Sequence, residues 1–392
     1  MTLPFIQIGE AVSKVDKWNP AQEGRDGTFA YIDLGSVNNE TKQIEATQEV
    51  QFRNAPSRAR QLVREGDILV STVRPNLNGV ARVTKAHDGA TASTGFCVLR
   101  ANPAIIDPGY LFQWVKSPNF VAEMVRRATG ASYPAVTDRI IGESLIPFPP
   151  LDDQRRISAI LDQADDVRRK RREAVARLSH IKRSIFFAMF GNPLINDRQW
   201  EVFRLGELCE SITDIDHKMP KSVDVGVPFI SAKDLVDEGI SFSDVKMISK
   251  QDFVQLSRKG RPRRGDIIYS RIGAKLGKAR LVSVDFDFLA SYSCCTIRPN
   301  RDLVNELYLC ELLDSPWILK QAHRGVRAIG VPDLGLGEIK NFKIIVPPLD
   351  MQSRFAAHAS EVEKLKSLNR SQLGQVDALF ATLQHRAFRG SI

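Results

Sequence analysis

An aspartate, a glutamate and a lysine gathered around a metal ion can hydrolyse a phosphodiester, and Asp333, Glu338 and Lys340 in VPDLGLGEIK (331–340) are of the right types. Only four residues separate Asp333 from Glu338. A related stretch 198 residues upstream has Ala135, Ile140 and Gly142 in the same places, so a nuclease centre would have no counterpart there. An adenine methyltransferase grips its flipped base with N-P-P-[YF] or D-P-P-Y. FPPL (148–151) and VPPL (346–349) lack both the Asn or Asp and the aromatic, and read instead as prolines starting helices. A phosphate-wrapping loop needs G-x-x-x-x-G-K-[ST]. Gly273 through Lys278 comes nearest but is followed by Ala279 and has the wrong spacing. The six histidines show no metal-ligand spacing. The expectation is a chain with no catalytic residues, metal or cofactor of its own.

The positive signal is basic. From Arg258 to Arg280 there are nine Lys/Arg and one acid, and the matching stretch from Arg58 to Arg82 has five Arg and two acids. Each holds a strand followed by a loop, RPNLNG (74–79) and RIGAKLG (271–277). Glycine and small residues let a backbone approach phosphate, while Arg and Asn can read guanine and adenine edges. These are DNA-contacting loops, or ordinary hairpins with solvated charges. A second pair of loops, ATGASYPAV (128–136) and VRAIGVPDL (326–334), is either a further DNA contact or a plain helix-to-strand connection. The DNA-contact candidates are Arg74, Asn76, Asn78 and Tyr133, then Arg271, Lys275, Lys278 and Arg327. RRKRR (168–172) is usually a solvated helix face, or else a lure for phosphate or an acidic partner.

Positioning two such sets requires a repeated scaffold, and the chain repeats itself. PPLDDQRRI starts at Pro149 and PPLDMQSRF at Pro347, and 347 − 149 = 198. At that offset Tyr110-Leu111 falls on Tyr308-Leu309, Ser117-Pro118 on Ser315-Pro316, and Arg100 on Arg298. GDILVS (66–71) matches GDIIYS (265–270) at an offset of 199, which one small insertion explains. The globular parts, 1–148 and 199–346, carry short β-rich runs such as ILVSTV and CTIRP and helical spacing in YLFQWVKS and LYLCELLDS, so they read as mixed α/β.

The segments 149–192 and 347–390 read as long helices of about 36 residues, roughly 54 Å each at 1.5 Å per residue. Ile157 to Ala188 contains no Gly or Pro. A heptad with a at Ile157, Ala164, Arg171, Leu178 and Ile185 puts d at Ile160, Val167, Ala174, Ile181 and Ala188, and only Arg171 breaks the seam. The second copy runs from Phe355 to Leu383 with a polar middle, Asn369 and Gln372. Paired antiparallel, the helices would bring Ile157 to Leu383, Ile185 to Phe355, and Arg171 to Asn369 or Gln372. Two globular parts near opposite ends would then present similar surfaces a fixed distance apart, as a bipartite DNA sequence requires.

Length, charge and cysteines agree. A 392-residue chain exceeds one ordinary core, and a net charge of +9 suggests a polyanionic partner. Five cysteines without C-x-x-C read as core thiols of a reducing compartment. No signal-like N-terminus or apolar run of membrane length is visible, so a cytoplasmic, soluble protein is expected.

The organisation resembles the specificity subunit of type I restriction–modification enzymes. The resemblance rests on PPL-x-x-Q-R-R-I opening a long helix (149–157), its second copy (347–355), the G-D-I strand motif in each half, and AMFG and AFRG at the helix ends. It covers the whole chain. It implies two target recognition domains, each reading one half of a split double-stranded DNA target. It also implies helices that set the gap and dock two methyltransferase subunits, motor-nuclease subunits completing the complex, and no chemistry by the chain itself. One departure is the second seam, where His358 and Arg386 fall at d positions. The rival readings are a standalone duplicated methyltransferase or nuclease, and a coiled-coil scaffold without sequence-specific DNA binding.

Overall fold

The computed structural model describes residues 3–22, 26–217, 219–326 and 331–390. The chain divides into two compact units, Met1–Val175 with Leu368–Ile392, and Ala176–Ser367. Both mix helix and sheet. Two long helices, Leu151–Phe190 and Leu349–Ala387, contribute to each.

In the first unit an antiparallel four-stranded sheet runs in the order Val12–Ser13, Phe96–Ala101, Ile68–Ser71, Val80–Arg82. A second four-stranded sheet, Gln48–Gln51, Thr28–Ile32, Thr91–Ser93, Ala59–Leu62, includes one parallel pair. The second unit builds its main sheet in the same order from Cys209–Thr213, Cys294–Pro299, Ile267–Ser270 and Ala279–Leu281. Its smaller sheet has three strands.

The repeated residues turn out to be fasteners. The Asp of each G-D-I motif is buried. Asp67 accepts from the Arg64 backbone N–H and pairs with Arg100 at 2.8 Å, and Asp266 does the same with Arg263 and Arg298 at 2.7 Å. The glycines before them, Gly66 and Gly265, both have φ +89°, a left-handed turn that side chains disfavour. The Gln of each PPL-D-x-Q is fully buried. Gln154 donates to Pro149 O and accepts from Asp107 N, and Gln352 donates to Pro347 O and accepts from Asn305 N. That amide ties the start of the long helix to the cap of a domain helix. Tyr110 and Tyr308 add hydroxyl bonds to Pro147 O and Ile345 O at the strand leading into each helix. Each partner satisfies a buried polar group whose loss would cost about 1–3 kcal/mol.

The helices pair antiparallel. In the first unit Ile157, Leu161 and Ala164 share a core with Phe380, Leu383 and Ala387, while Arg171 Nη1 donates to Asn369 Oδ1 at 3.2 Å. In the second unit Phe186 and Phe190 lie with ring centroids 5.4 and 5.5 Å from Phe355, and Ile185 packs on the same core. The seam's phase differs from the a/d reading. Leu161 is fully buried while Ile160 is half-buried, and Val167 and Ile181 are 43% and 47% exposed. In the second helix Ala359, Lys366 and Ala387 are buried, whereas His358, Leu365, Leu379 and Arg386 are exposed. The row one residue after d therefore faces the partner in both helices. His358 and Arg386 point to solvent and do not weaken the seam. In the first helix this row holds Arg168 and Lys182, which pair with Asp377 and Glu363 of the facing helix, so a heptad built on apolar residues alone passed it over.

Candidate nucleic-acid interface

In the first unit the strand Ile68–Ser71 leads into a short 3-10 turn, Pro75–Leu77, flanked by two residues in the left-handed region, Arg74 (φ 50°) and Asn78 (φ 49°). A non-glycine residue there is uncommon and is held by its surroundings. Arg74 N donates to Pro134 O at 2.7 Å, and Val73 bridges Ala135. The Arg74 guanidinium then lies 4.7 Å above the ring of Tyr133, which is 69% exposed. The loops 74–79 and 128–136, separate in sequence, thus form one platform. Asn76 is exposed on it. Asn78 is half-buried and works as an anchor, with Nδ2 donating to Lys116 O and its own carbonyl accepting from Lys42 Nζ at 2.6 Å. Burial and the neighbouring Lys116 pull the Lys42 ammonium down to about 8.

The second unit builds the same junction. Gly273 N donates to Pro332 O at 2.9 Å, and Ile272 bridges Asp333. These bonds equate Gly273, not Arg271, with Arg74. Arg271 corresponds to Thr72, whose carbonyl accepts from Val136 N as that of Arg271 accepts from Leu334 N. Arg271 is accordingly 4% exposed and ion-paired to Asp214 at 2.7 Å and Asp333 at 2.9 Å. The sequence placed it at a DNA surface; the fold turns it inward, where it clamps the junction. It also takes up the carboxylate that a nuclease reading assigns to a metal. Among the described residues no cluster of three or more His, Cys, Asp or Glu could hold a metal. Lys275 is exposed, and Lys278 is half-buried, 3.8 Å from Asp237. Arg327 lies outside the described residues.

Much of the basic surplus is neutralised by acids brought from elsewhere in the chain. Lys259 pairs with Asp216, Arg261 with Asp287, Arg264 with Asp285, and Arg280 with Asp237 and Asp314. In RRKRR, Arg168 and Arg172 pair with Asp377 across the helix seam, and Arg169 with Asp166 and Glu173 along its own helix. That run ties the helix pair together in the first unit. An open groove of about 820 Å³ beside it is lined by similarly self-paired charges, including Lys116 with Asp165 and Arg82 with Asp162. The side chains of Arg58, Arg74, Arg258, Arg263 and Lys275 have no acidic partner among the described residues. Burial pushes the Cys209 and Cys294 thiols up to about 12.

The same loop junction thus recurs on duplicated sheets, and each unit shares in the pair of long helices. The chain belongs to the family described as type I restriction modification DNA specificity domain, which matches residues 9–177 and again 197–376. It is similar to the type I restriction enzyme MjaIX specificity subunit of Methanocaldococcus jannaschii, at 23% identity over 90% of this chain and 81% of that protein. The MjaVIII specificity subunit of the same organism is 21% identical over 99% and 92%. A solved structure from work on complex assembly and conformational transition of the type I R-M system matches with TM-score 0.59 and 25% identity, covering 100% of this chain and 98% of that one. The S subunit from M. genitalium shares the fold, with TM-score 0.60 at 14% identity over 98% and 96%. Among the described residues no helix is long and apolar enough to cross a membrane.

Proposed function

We propose that this chain is the DNA sequence-recognition subunit of a type I restriction–modification complex and performs no chemistry itself. Residues 1–148 and 199–346 are its two target recognition domains, each reading one half of a bipartite duplex. The helical segments 149–192 and 347–390 set the gap and dock two methyltransferase subunits. Motor-nuclease subunits complete a cytoplasmic assembly that methylates adenine and cleaves DNA at the expense of ATP. Arg74, Asn76 and Tyr133 contact DNA from the first domain, with Asn78 shaping their loop, and Lys275 and Lys278 contact it from the second. Arg327 belongs to the same proposed set.

The observation that carries this reading is the pair of junctions: the same backbone bonds, Arg74 to Pro134 and Gly273 to Pro332, present different side chains. A shared scaffold with divergent tips is what two unlike half-sites demand. Replacing residues 1–148 by the first domain of another family member should change one half of the recognised sequence and preserve the other. Change in both halves would show that the domains are not autonomous readers. Methylation of DNA by the purified chain alone would refute the non-catalytic role.

A further inference from the structure

We infer that Arg74 reads a guanine in the half-site facing the first unit, held in reading posture by Tyr133. The inference rests on the recognition role proposed above and narrows it to one side chain and one base.

Four observations converge on Arg74. Its side chain is exposed and has no acidic partner among the described residues, unlike most basic groups in the matching stretch of the second unit. Its guanidinium sits 4.7 Å from the centre of an exposed tyrosine ring. The ring face attracts the guanidinium and limits where the fork can swing, while its N–H donors have no acidic partner among the described residues. Its backbone is held in the left-handed region by the Pro134 bond, and the far end of the turn, Asn78, is anchored by Lys42 and Lys116. Strain of this kind persists where the surrounding structure over-determines it, and it concentrates at functional sites.

A phosphate contact needs charge but no fixed plane, because phosphate accepts from many directions. A guanine edge offers O6 and N7 side by side, and a planar fork meets both at once. The second unit sharpens the distinction. The equivalent residue is Gly273, with φ 92° and nothing within 4 Å of where a Cβ would stand. A phosphate anchor serving both domains alike would be kept in both copies. A group present in one copy and replaced by open space in the other has the character of a base reader, because only base readers must differ between half-sites.

The test uses the chain assembled with its modification subunits, once methylation mapping has given the target. Binding is measured over a panel of duplexes in which each base pair is replaced in turn. Arg74→Ala should lose about 5- to 150-fold discrimination at a single G·C pair of one half-site, the range for one bidentate contact. The profile of the other half-site should stay unchanged. Tyr133→Leu should weaken the same preference without moving it to another position. An equal loss across the whole panel, with the salt slope reduced by about one, would make Arg74 a phosphate contact and overturn the inference. An unchanged panel would overturn it as well. Should Arg74→Ala abolish binding, Arg74→Gln decides, because it keeps a polar side chain of similar reach but loses the guanidinium fork, and an amide pairs with adenine rather than guanine. Selective loss at one G·C pair supports the assignment, and retained discrimination refutes it. Failure of the wild-type complex to recognise any bipartite sequence would instead sink the recognition role itself.

Discussion

Arg271 brings a permanent charge into the interior of the second unit, balanced by Asp214 and Asp333. Removing Arg271 leaves Asp214 partly buried and Asp333 half in solvent, so the cost, discounted for that screening, is about 1–3 kcal/mol. Arg271→Ala should therefore lower the melting temperature and reduce binding to every duplex together. A variant of unchanged stability that lost recognition of one base would return Arg271 to the reading surface. Gln154 makes a comparable case with a neutral group. Gln154→Leu strands Asp107 N and Pro149 O and should destabilise by about 1–3 kcal/mol, as measured by denaturant titration.

At the scale of the elements, the helix pair is fastened by charge as well as by apolar packing. In the second unit Lys182 donates to Glu311 of the domain and to Glu363 of the facing helix, the latter at 2.9 Å. Burial works against the Lys182 ammonium, but the two carboxylates outweigh it and hold it above the usual lysine range. Burial likewise opposes the Glu363 carboxylate, and Lys182 and Lys366 outweigh it and hold it below the usual range. The raised lysine contributes stability that is present below its unfolded pKa and lost as pH climbs through the folded one. The lowered glutamate contributes stability that is present above its unfolded pKa and lost as pH falls through the folded one. Both contributions are complete near neutrality. Lys182→Met should cost about 1–2 kcal/mol at pH 7, discounted for partial solvent screening. The gap between variant and wild type should narrow in acid, where the carboxylates become neutral. A gap that widened in acid would contradict this. Cysteines placed at Ile157 and Leu383 should crosslink in preference to a pair at Ile157 and Phe355.

At the scale of the whole molecule the repeat doubles whatever a single copy offers to a partner. Val167 and Leu365 are 198 residues apart, as are Ile181 and Leu379, and all four are exposed apolar residues on the long helices. The row that the heptad assigned to the seam therefore keeps large apolar side chains at the surface. Under the proposed function, copurification with a methyltransferase should give a mass of two such subunits per chain. A one-to-one complex that stays so at high concentration would count against equivalent docking faces.

Much of this protein can be read along the chain, because the signals involved are local or periodic. An offset of 198 reports duplication, a Gly- and Pro-free run with an apolar stripe reports a long helix, and the absence of catalytic and nucleotide motifs needs no coordinates. The β-rich runs and G-D turns gave the strands of each domain but not their order, which depends on contacts between distant segments. Tertiary structure alone decided the rest. In the first helix the apolar d row lost the seam to the row beside it, and in both helices only the partner's position put Leu161 and Ala359 inside and left Ile160 and His358 further out. Acids that cancel the basic stretch at 258–280 come from as far away as Asp214 and Asp333. Arg74 and Arg271 both open glycine-containing basic loops in sequence, yet one stands over a tyrosine in solvent and the other lies buried between aspartates. A residue's charge is set by its type, whereas its exposure and partners are set by which segments the backbone brings beside it.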